Sequence, residues 1–133
     1  MAKAILVVQA NPSNPEREDE FNRWYNETHL PDVVRVEGYI AAQRFRVVEG
    51  VPLAEGLPPP PHRYLAVYEL DTDDLEGAAQ RLRDQVLQGA IGISDTLDLQ
   101  SVSVSFYTPI TERLTSEDWD RTSTADGSAG KAR

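Results

Sequence analysis

The chain contains no cysteine, which excludes disulfides, thiolate metal ligands and cysteine nucleophiles. No apolar run approaches the ~20 residues that a membrane-crossing helix needs, so no membrane association is expected. The run Ala4-Ile5-Leu6-Val7-Val8 is short and lacks a cleavage pattern; it reads as a strand and not as a signal peptide. With no sign of secretion, a cytoplasmic location is expected. Basic residues are few, 13 against 22 acidic, for a net charge of −9. They are scattered, and an acidic chain without a basic face repels nucleic-acid phosphates. Histidine occurs twice, as His29 and His62, with no H-x-x-x-H or H-x-H spacing. No metal site is therefore expected. Glycine-rich phosphate loops and the G-x-S-x-G elbow are also missing, which leaves nucleotide binding and elbow-type hydrolysis without support.

What remains is enough for one domain of 133 residues. Residues 3–9 read as a buried strand, followed by a turn at Asn11-Pro12-Ser13. Asn14 and Pro15 give a helix start, with acids in the first turns where the helix dipole favours them. This helix should run over 15–29, because Pro31 cannot continue it; residues 31–34 add at most one further turn, closed at Gly38. Residues 39–48 read as a second strand. The Pro-rich stretch 49–62 is an exposed loop, partly polyproline-like. Residues 63–70 are a third strand. Leu75, Ala78, Ala79, Leu82 and Val86 form the apolar stripe of a second helix that opens at Asp71-Thr72-Asp73-Asp74 and closes at Gly89. Residues 99–108 alternate strictly and read as the fourth strand. Residues 1–114 thus form the domain, and 115–133 are expected to be a disordered tail.

The order is β-α-β-β-α-β, an α+β arrangement. Two helices cover one face of the sheet. Strand 1 offers Ala4, Leu6 and Val8 on one side and Ile5 and Val7 on the other, and strand 3 has no clean polar face either. Both faces should therefore be buried, the second by another copy of the chain, which makes a homodimer through the sheet the expected partner arrangement.

The stretch FNRWYNETHLPDVVRVEGY carries the densest chemistry. At α-helical spacing Phe21, Trp24, Tyr25, Thr28 and His29 share one face, which turns His29 inward. Burial and the helix C-terminus act oppositely on its pKa. A lone His on an apolar face is more often a packed or capping residue than a catalyst, and Trp24 and Tyr25 serve packing in the first place. Arg44 in mid-strand needs a partner, for which Glu69 and Asp32 are candidates. Ser101, Ser103 and Ser105 either line a pocket or thin an interface.

The pattern Phe21-x-x-Trp24-Tyr25-x-x-x-His29-x-Pro31, with Val36-Glu37-Gly38-Tyr39 and Arg44-Phe45 following, resembles the EthD-like branch of the dimeric α/β-barrel (ferredoxin-like) superfamily. The resemblance implies two sheets packed face to face, a pocket between sheet and helices in each subunit, and His29 as acid/base. It implies a cofactor-independent enzyme acting by proton transfer on a small apolar, aromatic or polyketide-like substrate, as a dehydratase, cyclase or isomerase. His29, Tyr68 and Arg44 are the candidate catalytic residues; Trp24, Tyr25, Asn26, Asn11 and Tyr64 are the candidate substrate-binding ones. No cofactor is expected. Haem, which some dimeric barrels bind, would need a basic clamp that this chain lacks. The alternatives are a cofactor-free monooxygenase and a non-catalytic dimer that binds a small ligand.

Overall fold

Residues 3–119 are described by the computed structural model. Four strands form one antiparallel sheet in the order β2-β3-β1-β4, with β1 over Lys3–Ala10, β2 over Tyr39–Arg46, β3 over Tyr64–Asp71 and β4 over Ser103–Tyr107. Three helices lie on one face: α1 (Glu18–Trp24), α2 (Leu30–Val34) and α3 (Leu75–Leu87). That face presents Ala4, Leu6, Tyr64, Ala66, Tyr68 and Leu70, which pack with Phe21, Tyr25, Val33 and Ala78 into one core.

The helix starts follow their local chemistry. The Asn14 side chain accepts from Glu16 N–H, with Pro15 opening a 3₁₀ turn ahead of α1. Asp74 caps α3 by accepting from Gly77 N–H. Gly38 turns the chain from α2 into β2 at φ 99°, a conformation that favours glycine.

Three departures from the sequence expectation bear on the site. First, Pro31 does not end the helix. Between α1 and α2 the residues Tyr25–His29 form a π turn, in which Leu30 N–H donates to Tyr25 O, five residues back. The helix therefore runs through Pro31 to Val34, because a turn widened by one residue accommodates a residue that lacks an N–H. Second, β2 carries a bulge between Tyr39 and Ala41. The extra residue, Ile40, reverses the side-chain alternation. Ala42, Arg44 and Arg46 consequently pair with Tyr68, Ala66 and Tyr64 on the helix-covered face, and Phe45 points to the other. Third, β4 starts at Ser103 and not near residue 99. The Asp98 carboxylate accepts from Gln100 N–H and Ser101 Oγ, which folds residues 98–101 into a turn.

Ser103 and Ser105 stand opposite Gln9 and Val7 on the sheet face away from the helices. Ile5, Val7, Leu65 and Val67 share that face and are part-buried in the single chain, while Phe45 is 44% exposed. Residues 116–119 form a helical turn, closed by Trp119 N–H donating to Thr115 O. The remainder of the expected tail lies outside the described residues. Among the described residues no helix is long and apolar enough to cross a membrane.

Candidate functional site

A cavity of about 280 Å³ opens between the sheet and the helices. Its floor is Leu6 and Val8 of β1, Tyr68 of β3 and Val104 of β4. One wall is the π turn and α2, through Tyr25, His29 and Val33. The opposite wall is Leu82 and Val86 of α3 with Ile93, Leu97, Leu99 and Val102 of the loop that follows. That loop is tied down: Ser13 N–H donates to Thr96 O at 2.6 Å and Asp98 N–H to Asn11 O at 3.0 Å. Thr96 is fully buried, its hydroxyl paired with Ser94 Oγ. No Lys, Arg, Asp or Glu lines the cavity among the described residues, so it suits an uncharged ligand.

His29 is the polar centre. Its ring stacks on Trp24, centroids 4.8 Å apart and planes at 29°. The Tyr25 ring meets it edge-on at 5.0 Å. His29 Nδ1 is buried with no hydrogen-bond partner among the described residues. Burial pushes the imidazole pKa down to about 4; the Asp32 carboxylate acts against that shift, and the Arg44 charge adds to it. At neutral pH the ring is uncharged.

Two hydroxyls accompany it. Tyr68 Oη donates to Tyr25 Oη at 3.4 Å. Burial raises the Tyr25 pKa, offset in part by that hydrogen bond and by Arg44. Burial, and then the neighbouring Tyr25, raise the pKa of Tyr68. Both phenols are neutral and keep their protons. The arrangement thus offers one neutral base and two neutral hydroxyls inside a hydrocarbon wall.

Of the residues singled out in the sequence, the fold brings His29, Tyr68 and Tyr25 to the cavity, with Trp24 behind the imidazole. The other four lie elsewhere. Arg44 does not pair with Glu69 or Asp32. Its guanidinium carbon lies 4.3 Å from the Tyr25 ring centre, 5.1 Å from Tyr64 and 5.4 Å from Phe21, and Nη1 donates to Asn26 Oδ1 at 2.8 Å. It occupies an aromatic box beside the cavity. Asn26 is exposed and serves Arg44. Tyr64 Oη donates to Glu18 and accepts from Asn22 Nδ2, and Arg63 joins Glu18 at 3.2 Å. Asn11 fastens the end of the Pro-rich loop, donating to Pro61 O and accepting from Arg63 N–H. In the wall after α3, Ile93 and Leu97 had no helical or strand period to assign them a face, and Leu99 and Val102 fall in the stretch that reads as the start of the fourth strand.

No group of three His, Asp or Glu able to hold a metal ion occurs among the described residues. No family model and no curated protein sequence matches the chain. Solved structures do match it. An EthD-like protein from Ralstonia eutropha superposes with a TM-score of 0.53 at 15% identity, over 85% of this chain and 96% of its own. A dimeric ferredoxin-like protein from an uncultured marine organism gives 0.55 at 14% identity, over 85% and 100%. The chain has the ferredoxin-like fold. MhuD, a haem degrader from Mycobacterium tuberculosis, shares it with a TM-score of 0.55 at 13% identity, over 84% of this chain and 99% of its own. At these identities the ferredoxin-like likeness carries the fold and leaves function to the site.

Proposed function

We propose that this protein is a cofactor-independent enzyme that transfers a proton on a small, uncharged aromatic or polyketide-like substrate, with His29 as the acid/base. The observation that supports this most is the neutral His29 ring on the wall of an apolar cavity, its buried Nδ1 without a hydrogen-bond partner among the described residues. In this reading the imidazole takes a proton from carbon next to a carbonyl. The oxygen that gains charge accepts a hydrogen bond from Tyr25, whose hydroxyl oxygen accepts from Tyr68. Asp32 favours the imidazolium so formed. The proton then goes to another carbon, giving isomerisation; to the oxygen of a second carbonyl whose carbon the enolate carbon attacks, giving cyclisation; or to a departing hydroxyl that leaves as water, giving dehydration.

The test uses small aromatic ketones in D₂O, with exchange of the proton next to the carbonyl followed by NMR. Exchange by the wild type, reduced at least ~100-fold in His29→Gln, supports the reading; a positioned base contributes about 10²–10⁴-fold. Equal exchange by both proteins would overturn it. Ligand binding without any turnover would make the protein a binding module. Dioxygen uptake with a phenolic substrate would place the reaction among monooxygenations.

Haem does not fit this site. MhuD binds two haems, but among the described residues no Lys or Arg lines the cavity to meet propionates. We also infer that two copies pair through the open sheet face, where Ile5, Val7, Leu65, Val67 and Phe45 gather; one neighbour of the same fold is dimeric. Sedimentation of the wild type as a dimer and of Val67→Glu as a monomer is the expected result. A monomeric wild type at micromolar concentration would exclude it.

A further inference from the structure

His29 and Trp24 are in face-to-face contact although five residues separate them. In an α-helix residues five apart point about 140° away from each other around the axis, so an unbroken α-helix forbids this stack. A turn closed at the fifth residue brings them onto one side. The π turn Tyr25–His29 is such a turn, with Leu30 N–H bonded to Tyr25 O. It also sets Tyr25 edge-on against the imidazole and leaves Thr28, which α spacing would place inward, exposed.

The sequence around the turn says what selects it. Pro31 stands two residues beyond it, inside α2. In a regular helix the proline ring collides with the carbonyl four residues back, here that of Glu27, and no N–H is available to that carbonyl. Widening the turn ahead of the proline relieves the collision without ending the helix. Trp24, Tyr25, His29 and Leu30 all keep right-handed helical dihedrals, with φ between −71° and −58°, so the inserted residue is absorbed without a strained position. The helix then continues to Val33, which is buried and forms part of the cavity wall.

We propose that Pro31 is a positioning residue: by excluding the regular helical register over residues 25–31, it selects the π turn that seats the His29 ring between Trp24 and Tyr25 at the cavity. Its effect on turnover rests on His29 being the base. Its effect on geometry does not.

The experiment compares Pro31→Ala and Pro31→Ser, which differ in side chain and share the restored N–H. Both are made in the full chain, and folding is checked by circular dichroism. Ring-to-ring NOEs between Trp24 and His29 and the His29 titration midpoint are read by NMR, with His29→Gln and Trp24→Phe for assignment. Loss of the NOEs and an upward move of the midpoint by at least one pH unit in both variants is the expected result. Retention of the stack and midpoint in both, or a change in one variant alone, would overturn the proposal. So would failure of both to fold, since that would make Pro31 a requirement of the whole domain and not of one register. Loss of the stack with unchanged proton exchange would keep the role of Pro31 and remove that of His29.

Discussion

The Arg44 guanidinium lies 4.3 Å from the centre of the Tyr25 ring, and it reaches that ring because a single inserted residue, Ile40, turns the rest of β2 over. Arg44 therefore acts on the site through Tyr25 and through its charge. Replacing it by Met keeps an apolar stem and removes both effects. The expected outcome is a His29 midpoint above about 4, since Arg44 is one of the groups that lower it. A loss of roughly 1–2 kcal/mol in unfolding free energy accompanies it, the scale of a desolvated cation–π contact. NMR titration and urea unfolding read the two effects. A midpoint that stays put would disconnect Arg44 from the histidine.

The depressed pKa of His29 makes stability depend on pH in a defined direction. Between about 4, its folded value, and about 6.5, the ordinary value, the unfolded chain binds the proton and the folded chain does not. Unfolding free energy should therefore be complete above pH 6.5 and fall by up to a few kcal/mol as pH drops towards 4. In His29→Gln this part of the slope should vanish. Urea unfolding of both proteins at pH 7, 6, 5 and 4 measures it, and parallel curves would contradict the pKa.

The cavity can be filled without touching the histidine. Val86 projects from α3 into it, and Val86→Phe adds about the bulk of a small ring fragment. We expect binding of a small apolar fluorescent probe to weaken at least ~10-fold, with a stability change inside the 1–3 kcal/mol typical of overpacking and the His29 midpoint still below its ordinary value. Undiminished probe binding would place the ligand site elsewhere.

Gly38 is held at φ 99°, and a Cβ there would sit 3.3 Å from Arg81 Nη2. Arg81 also donates to the Glu37 carbonyl, so it is not free to withdraw. Gly38→Ala should cost roughly 1–2 kcal/mol, seen as a lowered urea midpoint with an unchanged m-value. An unaffected midpoint would show that this turn relaxes freely.

Much of this protein was legible from local pattern. The β1 run, the Asn14-Pro15 start, the acidic opening of α3 at residues 71–74 and the apolar stripe of α3 each rest on neighbours in sequence, and each stands where its pattern placed it to within a few residues. Helical spacing also turns Tyr25 and His29 inward, but the face they share is not an unbroken α face through Thr28, which is exposed. Asn11 and Tyr64 looked like pocket residues by type. Their partners, Pro61 and Arg63 for the one and Glu18 and Asn22 for the other, lie far away along the chain and are assembled by folding.

Composition and periodicity by themselves determined the element order, the sheet-and-helix layering and the presence of an apolar interior with one histidine in it, because these follow from side-chain spacing and capping over a few residues. The tertiary structure decided which side chains meet. Two one-residue phase shifts, the Ile40 bulge and the π turn before Pro31, set the faces of Arg44 and His29, and the loop after α3 formed the cavity wall opposite them. A bulge or a π turn wins over the regular alternative by small local differences that packing on distant segments resolves, and that balance is settled in three dimensions.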